Sequence, residues 1–214
     1  MKTWTLSYPR SGVTYTRYMI EYLTGKPTKD AMAIKIVARE QKAMIHDGED
    51  YVAYKTHLFA NIHPNDRIVF VLRNPKECLV RHNKGKRELS KEFFLKQVSS
   101  EDGTYCGLLK FYDEHSGEKM LIHYEDLVQS PILQMSRLRD FFGLDNEMFN
   151  EYLKDPKKLS EDALKCYPKS QTRGKSIIHH SKELSRWVKI ALDNLIKKHK
   201  PQLWDKYLNR YAEV

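Results

Sequence analysis

Residues 4–17 of the chain read WTLSYPRSGVTYTR, and this stretch decides the fold. Residues 4–8 have the composition of a short strand, and residues 9–12 that of a turn. From Thr14 onward the larger side chains recur at helical spacing; they are Tyr15, Tyr18, Met19, Tyr22 and Leu23. Gly25 then predicts the end of the helix through a left-handed C-cap.

A strand that passes through a small-residue loop into a helix is a common anion-binding arrangement. The first N–H groups of the helix lack intrahelical partners, and the helix dipole adds partial positive charge. Arg10 contributes a full charge beside them. The stretch is not a Walker A loop, because the first glycine and the Lys-Ser/Thr pair of that motif are missing. The alternative interpretation is an ordinary strand-to-helix turn that contains Ser11 and Gly12.

The composition predicts a globular protein with one domain, residues 1–214. A chain of 214 residues with 41% hydrophobic and 30% charged residues can bury a sizeable core. The sequence contains no run of about 18 apolar residues, so no membrane span is predicted. Residues 1–25 have no secretory signal pattern. Cys78, Cys106 and Cys166 are odd in number and widely spaced, which indicates free thiols rather than a zinc site. We therefore expect a cytoplasmic protein that binds neither a membrane nor a metal.

The net charge of +9 admits three kinds of partner: nucleic acid, an acidic membrane surface or a small polyanionic ligand. Much of the charge lies on lysines of polar helical stretches, where a solvated surface explains it. Basic residues in loops after strands are better candidates for an anion site.

The pattern beyond the first helix alternates between strands and helices, which predicts an α/β fold with a mainly parallel sheet. We expect further strands over residues 51–54, 68–72 and 119–123. The apolar run 68–72 is typical of a central strand that is buried on both faces. Helices are predicted over residues 30–46, 90–98, 104–115, 131–142, 146–167 and 184–200, with others after Pro75 and Pro201. The helix over 184–200 has one apolar stripe that includes Trp187.

Polar side chains follow the predicted strands, at the edge where open parallel sheets bind ligands. His57 ends the segment Lys55-Thr56-His57 and is the natural general base, although a lone histidine is more often structural. Arg73 suits a phosphate, or alternatively a salt bridge to a nearby carboxylate. Arg81 could reach the same anion, and Tyr124 could stack on a base or simply pack under the sheet.

Four blocks of the sequence resemble those of the sulfotransferases. YPRSGVTYTRYMIEYL is similar to their 5′-phosphosulfate loop, and VLRNPKECLVR to their 3′-phosphate motif. YKTHL is similar to the segment that holds the catalytic base in the cytosolic branch, and HYEDL to another shared block. The resemblance implies a three-layer α/β/α, P-loop-like fold with a central, mainly parallel sheet. It covers residues 4 to about 145 best.

The resemblance also implies a donor, 3′-phosphoadenosine 5′-phosphosulfate (PAPS), whose product is adenosine 3′,5′-bisphosphate (PAP), with no metal. Arg10 would bind the 5′-phosphate and bridging oxygen, His57 would deprotonate the acceptor, and Lys55 would lie beside the sulfuryl group. The other donor contacts implied by position are Ser11, Gly12, Val13 and Thr14 around the 5′-phosphosulfate, Tyr15 at adenine, and Arg73 at the 3′-phosphate. Arg81, at the position of a family Ser, and Tyr124, by stacking on the base, are further candidate donor contacts, and the resemblance adds Arg173, Gly174 and Lys175 in a late closing loop.

The sequence departs from the family pattern at several of these positions. Arg10 stands where the family has Lys, so charge is kept but a proton donor is lost. Arg81 replaces a Ser, Val13 lacks a hydroxyl, and the order of Arg173, Gly174 and Lys175 differs from the family's Arg-Lys-Gly.

The leading hypothesis is a sulfotransferase that transfers a sulfuryl group from PAPS to a hydroxyl acceptor, a small molecule or a glycan. The acceptor pocket would come from loops 26–48, 82–104 and 168–180. One alternative is a P-loop-type kinase of a small metabolite, which would need ATP and Mg²⁺ and lacks the Lys-Ser/Thr pair. The other is a basic nucleic-acid-binding protein, which would show steeply salt-dependent binding but gives His57 no role.

Overall fold

The structure of the protein, a computed structural model, describes residues 1–31, 45–46, 48–83, 90–166 and 184–212. Several sequence predictions fall partly or wholly outside these ranges: the helix over 30–46, the acceptor loops 26–48, 82–104 and 168–180, and the residues Arg173, Gly174 and Lys175. The side chains of residues 160 and 163–166, and with them the Cys166 thiol, also lie outside the description.

The described strands form one sheet in which every pairing is parallel. They are β1 (Thr3–Ser7), β2 (Thr28–Asp30), β3 (Ala53–Thr56), β4 (Arg67–Leu72) and β5 (Lys119–His123), in the spatial order β2-β3-β1-β4-β5. Chain order reverses direction at β1, so the topological switch point lies beside that strand. Ligands of open α/β sheets bind at such a point, outside the carboxyl ends of the strands.

Helices cover both faces of this sheet. They are α1 (Val13–Thr24), α2 (Pro75–Asn83), α3 (Lys91–Val98), α4 (Tyr105–Glu114), α5 (Tyr124–Gln129), α6 (Pro131–Phe142), α7 (Glu147–Lys154), α8 (Pro156–Cys166) and α9 (Arg186–His199). Helical turns over Pro201–Leu203, Trp204–Leu208 and Asn209–Tyr211 follow α9. None of the described helices is both long and apolar enough to cross a membrane.

The alternation of side chains along β4 explains why the sheet has a core on each face. Ile68, Phe70 and Leu72 point into one apolar cluster, which α2, α3, α4, α9 and the C-terminal turns cover. Val69 points into a second cluster, which α1, α6, α7 and α8 cover. All five residues of β1 are buried as well. The predicted three-layer arrangement with buried central strands is therefore confirmed.

The strand and helix bounds differ from the sequence prediction at the edge of the sheet. β3 begins at Ala53 rather than Tyr51, so Lys55 lies inside the strand and His57 is the first residue after Thr56. Asp30, which was predicted to begin a helix, instead closes the short strand β2. β2 pairs with β3 over Thr28–Asp30, and this backbone pairing outweighs the low strand propensity of the sequence TKD.

The prediction that Trp187 belongs to the apolar stripe of α9 is wrong. Its side chain is 81% exposed, whereas Leu192 and Ile196 on the same helix are 2% and 1% exposed. The buried part of α9 begins at Leu192, nearly two turns after the N-terminus of the helix. A helical period identifies the face that packs, but it does not show how far along the helix the packing extends.

A buried ion pair attaches α9 and the C-terminal turns to helix α2, which covers the same face of the sheet. Lys76 Nζ, on α2, donates to both carboxylate oxygens of Asp193, at 2.8 and 2.9 Å, and to Tyr211 O at 2.6 Å. The two side chains are only 1% and 5% exposed. The ammonium group thus directs three donors at three acceptors, which compensates the loss of its hydration.

Candidate active site

The loop after β1 is a tight turn with one strained residue. Ser11 N donates to Tyr8 O at 3.3 Å, which closes a four-residue turn over residues 8–11. Arg10, at the third position of that turn, has φ 70°, and is the non-glycine residue for which the described backbone has positive φ. An L-residue in this region costs about 1–2 kcal/mol. The turn therefore holds Arg10 in place at a cost in stability, and its side chain is exposed.

The N-terminus of α1 presents backbone N–H groups to this loop. The N-cap residue is Gly12, and no side chain caps the helix there. The first hydrogen bonds of the helix run from Tyr15 N and Thr16 N to Gly12 O, at 3.0 and 3.3 Å. The N–H groups of Val13 and Thr14 precede these bonds and have no place in the helical ladder. They form, with the helix dipole, an anion-binding terminus.

Gly12 is required both by its backbone conformation and by a close neighbour. Its φ is 97°, and a Cβ built at this position would lie 2.3 Å from Tyr124 Cδ2. The Tyr124 ring thus packs directly on the loop backbone, so that α1 and α5 meet at this glycine.

Replacing Gly12 by alanine is expected to weaken PAP binding at least tenfold and to destabilise the fold, because either Tyr124 or the loop must move. Gly25→Ala is the matched control: Gly25 also has positive φ, 63°, but nothing lies within 4 Å of its Cβ position. It should cost about 1–2 kcal/mol and leave PAP binding unchanged. Calorimetric titration of both variants with PAP tests this, and equal affinities would contradict it.

Two hydroxyl groups of the loop and first turn are buried. Ser11 Oγ and Thr16 Oγ1 have no hydrogen-bond partner among the described residues. An unsatisfied buried hydroxyl costs about 1–3 kcal/mol, so a ligand that accepts or donates a hydrogen bond here would recover stability. Val13 is buried, whereas Thr14 and Tyr15 are half-buried.

The Arg73 side chain joins the end of β4 to the loop after β1. It is fully buried, and its Nη1 donates to Arg10 O at 3.1 Å. Its guanidinium group lies 4.3 Å from the centre of the Tyr124 ring and 3.9 Å from Glu77 Oε2. The sequence left a phosphate ligand and a salt bridge as alternatives for Arg73. The contact with Glu77 is too long for a hydrogen bond, whereas the contact with Arg10 O in the loop is within hydrogen-bond distance.

A network from the C-terminus supports Tyr124 and the end of β4. Glu125 Oε1 accepts from Asn74 N at 3.1 Å, and Glu125 Oε2 accepts from Tyr211 Oη at 2.8 Å. One carboxylate therefore connects the residue after Arg73 with the end of the chain, which α9 brings into position. For Tyr124 the sequence left base stacking and packing as alternatives; the structure places the ring between Gly12 and Arg73.

The imidazole of His57 is held in one tautomer by the end of β1. Its Nδ1 lies 2.7 Å from Ser7 O and 3.4 Å from Ser7 Oγ. A carbonyl oxygen only accepts, so Nδ1 carries the proton and Nε2 has the lone pair. Burial, and next the charge of Lys55, lower the pKa of His57 to about 4. The imidazole is therefore neutral at physiological pH and can accept a proton.

Lys55 is paired with a residue that sequence reasoning missed. Its Nζ lies 2.8 Å from Asp30 Oδ2, and the two side chains are 14% and 9% exposed. Lys55 and Asp30 are register partners on the neighbouring strands β3 and β2. Nothing in the sequence TKD marks Asp30 as part of a site, because the strand that carries it has no apolar pattern.

His82 is a second histidine near the site that sequence reasoning missed. It lies on α2, one residue after Arg81, and its ring packs edge-on against Tyr8 with 5.5 Å between centroids. Its charge would contribute to the lowered pKa of His57. Arg81 lies in the last turn of α2 and is half-buried. The position of His82 beside Arg81 was the signal available in the sequence.

The structure brings most of the predicted residues together around the end of β1. Ser7 contacts His57, and Arg10, three residues further on, contacts Arg73, which in turn contacts Tyr124. Arg173, Gly174 and Lys175 lie outside the described residues. Within the part of the chain that the structure describes, no group of three or more histidine, cysteine or acidic side chains could hold a metal ion.

Comparisons with known proteins agree with this arrangement. A model of the sulfotransferase family matches residues 51–148. The structure of mouse sulfotransferase SULT7A1 complexed with PAP aligns with 99% of this chain and 89% of its own, with a TM-score of 0.68 and 16% identity. Retinol dehydratase, in complex with androsterone and inactive cofactor PAP, aligns with 94% of this chain and 81% of its own, with a TM-score of 0.60 and 12% identity. A retinol dehydratase complex with retinol and PAP gives a TM-score of 0.55 at 13% identity. No curated protein sequence matches the chain significantly.

These similarities define the fold of the protein. The chain is an α/β protein with the sulfotransferase fold, and the predicted fold class is confirmed. The family match over residues 51–148, which include β3, β4 and β5, confirms the predicted resemblance to the sulfotransferases. Together they support sulfuryl transfer from PAPS as its activity.

Proposed function

We propose that this protein transfers a sulfuryl group from PAPS to a hydroxyl group of its acceptor, with His57 as the general base. One observation supports this most strongly: the Nδ1 of His57 is bonded to Ser7 O, at the end of the strand that leads into the anion-binding loop. The end of β1 thus positions both the proton acceptor, His57, and the candidate phosphate-binding loop. When bound, PAPS supplies the sulfuryl group.

The residues of the loop fit the anionic end of this donor. Arg10 and the N–H groups of Val13 and Thr14 would bind the 5′-phosphosulfate, and the buried Ser11 Oγ would gain the hydrogen bond it lacks. Gly12 has no side chain, so the Tyr124 ring can pack against this backbone. Tyr15 would pack on adenine. Arg73 and Arg81 would bind the 3′-phosphate, and Tyr124 would support Arg73. The loop of Arg173, Gly174 and Lys175 would close over the same phosphate.

His57 would act through Nε2, since Nδ1 donates to Ser7 O. A neutral imidazole within hydrogen-bond distance of the acceptor hydroxyl can take its proton as the oxygen attacks, and such a base contributes about 10²- to 10⁴-fold. Arg10 and Lys55 would stabilise the negative charge that develops on the transferred group and on the leaving phosphate. Fixed charges of this kind need no reorganisation during the reaction.

We infer that the acceptor is a small molecule in preference to a glycan. Retinol dehydratase, which has the same fold, is crystallised with androsterone or retinol. Aromatic rings also lie beside Ser7: Tyr8, the next residue, packs against His82 and against Tyr105, with 5.5 and 5.7 Å between ring centroids. We also propose a cytoplasmic location, because the buried thiols of Cys78 and Cys106 suit a reducing compartment.

The test is a transfer assay with PAPS that carries radiolabelled sulfur and a panel of phenols, aliphatic alcohols and saccharides. We expect label to move to at least one alcohol or phenol, and EDTA to leave the rate unchanged. Transfer to saccharides alone would overturn the acceptor class. ATP-dependent phosphorylation that EDTA abolishes, with no transfer from PAPS, would overturn the proposed function.

A further inference from the structure

Asp30 lies where the edge strand β2 meets the proposed sulfuryl-transfer site. Its carboxylate is 2.8 Å from Lys55 Nζ, and its side chain is only 9% exposed. The backbone holds the two strands together at this point, since Ala31 N donates to Lys55 O at 2.9 Å. Lys55 therefore has its ammonium group fixed by a largely buried carboxylate, and not by solvent.

The strand that carries Asp30 is fastened to the helix of the anion-binding loop. Arg17, on α1, is 4% exposed and donates from Nε to Thr28 Oγ1 at 2.7 Å and from Nη2 to Thr28 O at 3.0 Å. Glu21, one turn further along α1, accepts from Thr28 N at 2.7 Å and from Thr28 Oγ1 at 2.6 Å. Two buried charged side chains of α1 thus form hydrogen bonds with a single residue of β2.

These contacts form one continuous path. It runs from the first turns of α1 through Arg17 and Thr28 to Asp30, and from Asp30 to Lys55, two residues before His57. Burial lowers the pKa of Arg17, and the charges of Asp30 and Glu21 oppose that change. The carboxylate of Asp30 therefore pairs with Lys55 and also attracts the charge of Arg17.

We propose that Asp30 is a positioning residue for sulfuryl transfer: it holds Lys55 Nζ at the transfer site and balances the cations that surround His57. This inference rests on the proposed function and extends it to a residue that does not touch the reacting atoms. Asp30 acts through Lys55, and β2 gives it a fixed place relative to the donor loop.

The groups around His57 determine whether its pKa rises or falls when the Asp30 carboxylate is removed. Burial lowers its pKa most, and the charges of Lys55 on β3 and His82 on α2 lower it further, whereas Ser7 O on β1 and Asp30 on β2 raise it. Removing the Asp30 carboxylate takes away an opposing charge and leaves Lys55 uncompensated. The pKa of His57 should then fall below its present value of about 4.

The experiment compares Asp30→Asn with the wild-type enzyme in the PAPS transfer assay. A misplaced ammonium group is expected to lower kcat by about 10²-fold while the KM for PAPS changes less than threefold, and the acid limb of the kcat profile should move to lower pH. NMR titration of the His57 ring provides a readout of the same shift without turnover. Asp30→Glu keeps the charge, so it should restore part of kcat and leave the acid limb in place.

The matched control is Asp50→Asn, which removes the carboxylate of an exposed pair with Lys26, 2.6 Å apart. This variant should keep wild-type kcat and pH profile. The inference is overturned if the wild type is active and Asp30→Asn keeps both the wild-type kcat and an unshifted His57 titration. Asp30 would then have a structural role only. If the wild type transfers no sulfuryl group, the proposed function fails, and the inference with it.

Discussion

Replacing His57 by alanine is expected to lower kcat by about 10²- to 10⁴-fold, because the variant has no group that can take the proton of the acceptor hydroxyl. The affinity for PAP should change little, since the donor contacts proposed for Arg10, Ser11 and Arg73 do not involve the imidazole. Steady-state kinetics with PAPS, combined with calorimetric titration by PAP, separates the two effects.

The control for His57→Ala is His63→Ala, which removes an exposed imidazole from the turn before β4. That variant should keep its activity. A His57→Ala variant that is folded and turns over at the wild-type rate would show that another group serves as the base. Loss of PAP binding in a folded His57→Ala variant would show that the imidazole belongs to the donor site instead.

The pH dependence of the wild type follows from the lowered pKa of His57, about 4. The neutral, proton-accepting form predominates above that value and is lost as the pH falls through it. The acid limb of kcat/KM should therefore lie well below pH 6.5, the ordinary value for histidine. An acid limb near pH 6.5, assigned to His57 by its absence in His57→Ala, would contradict the buried environment that the structure gives this ring.

Replacing Asp193 by alanine is expected to destabilise the protein by about 3–5 kcal/mol, because it leaves the Lys76 ammonium group buried without its carboxylate. Both side chains are almost completely inaccessible. Chemical denaturation of the wild type and the variant measures the change. Helix α9 and the C-terminal turns should lose their attachment to α2, so hydrogen exchange in residues 186–211 should accelerate most.

Two further variants make this prediction specific. Glu114→Ala breaks an exposed pair with Lys110, 3.7 Å apart, and should cost less than about 0.5 kcal/mol. The double variant Lys76→Met with Asp193→Leu removes both charges, and should recover most of the stability lost in Asp193→Ala. Equal stabilities of Asp193→Ala and Glu114→Ala would show that the buried pair contributes no more than a surface contact.

The sequence was sufficient to predict the central elements of the fold, which are β1, α1 and β4. Residues 4–25 change from strand composition to helical period within a few positions, and Gly12 and Gly25 mark the two ends of α1, so the local pattern determines the local structure. The run 68–72 is apolar on both faces, which is possible only in a covered strand. Because parallel strands end at one edge of the sheet, the positions of His57, Arg73 and Tyr124 after three of the strands could be predicted without coordinates.

The features that the sequence did not predict depend on contacts between residues that are distant in the chain. β2 has no apolar residue, and its pairing with β3 alone places Asp30 beside Lys55. Lys76 and Asp193 are far apart in the sequence, and each by itself is typical of a solvated helix surface. Trp187 shows the opposite case: its spacing is that of a core residue, but the described packing of α9 leaves it exposed.

The strand ends around Ser7 are proposed to bind a nucleotide that is phosphorylated at both its 3′ and 5′ positions. Thermal unfolding with PAP, with AMP and with ATP and Mg²⁺ tests it most directly. At about 100 times its Kd, PAP should stabilise the protein by about 2.7 kcal/mol, which raises Tm by roughly 5 to 11 °C. AMP at the same concentration should raise Tm far less. A larger shift with ATP and Mg²⁺ than with PAP, or no shift with PAP at all, would contradict the account.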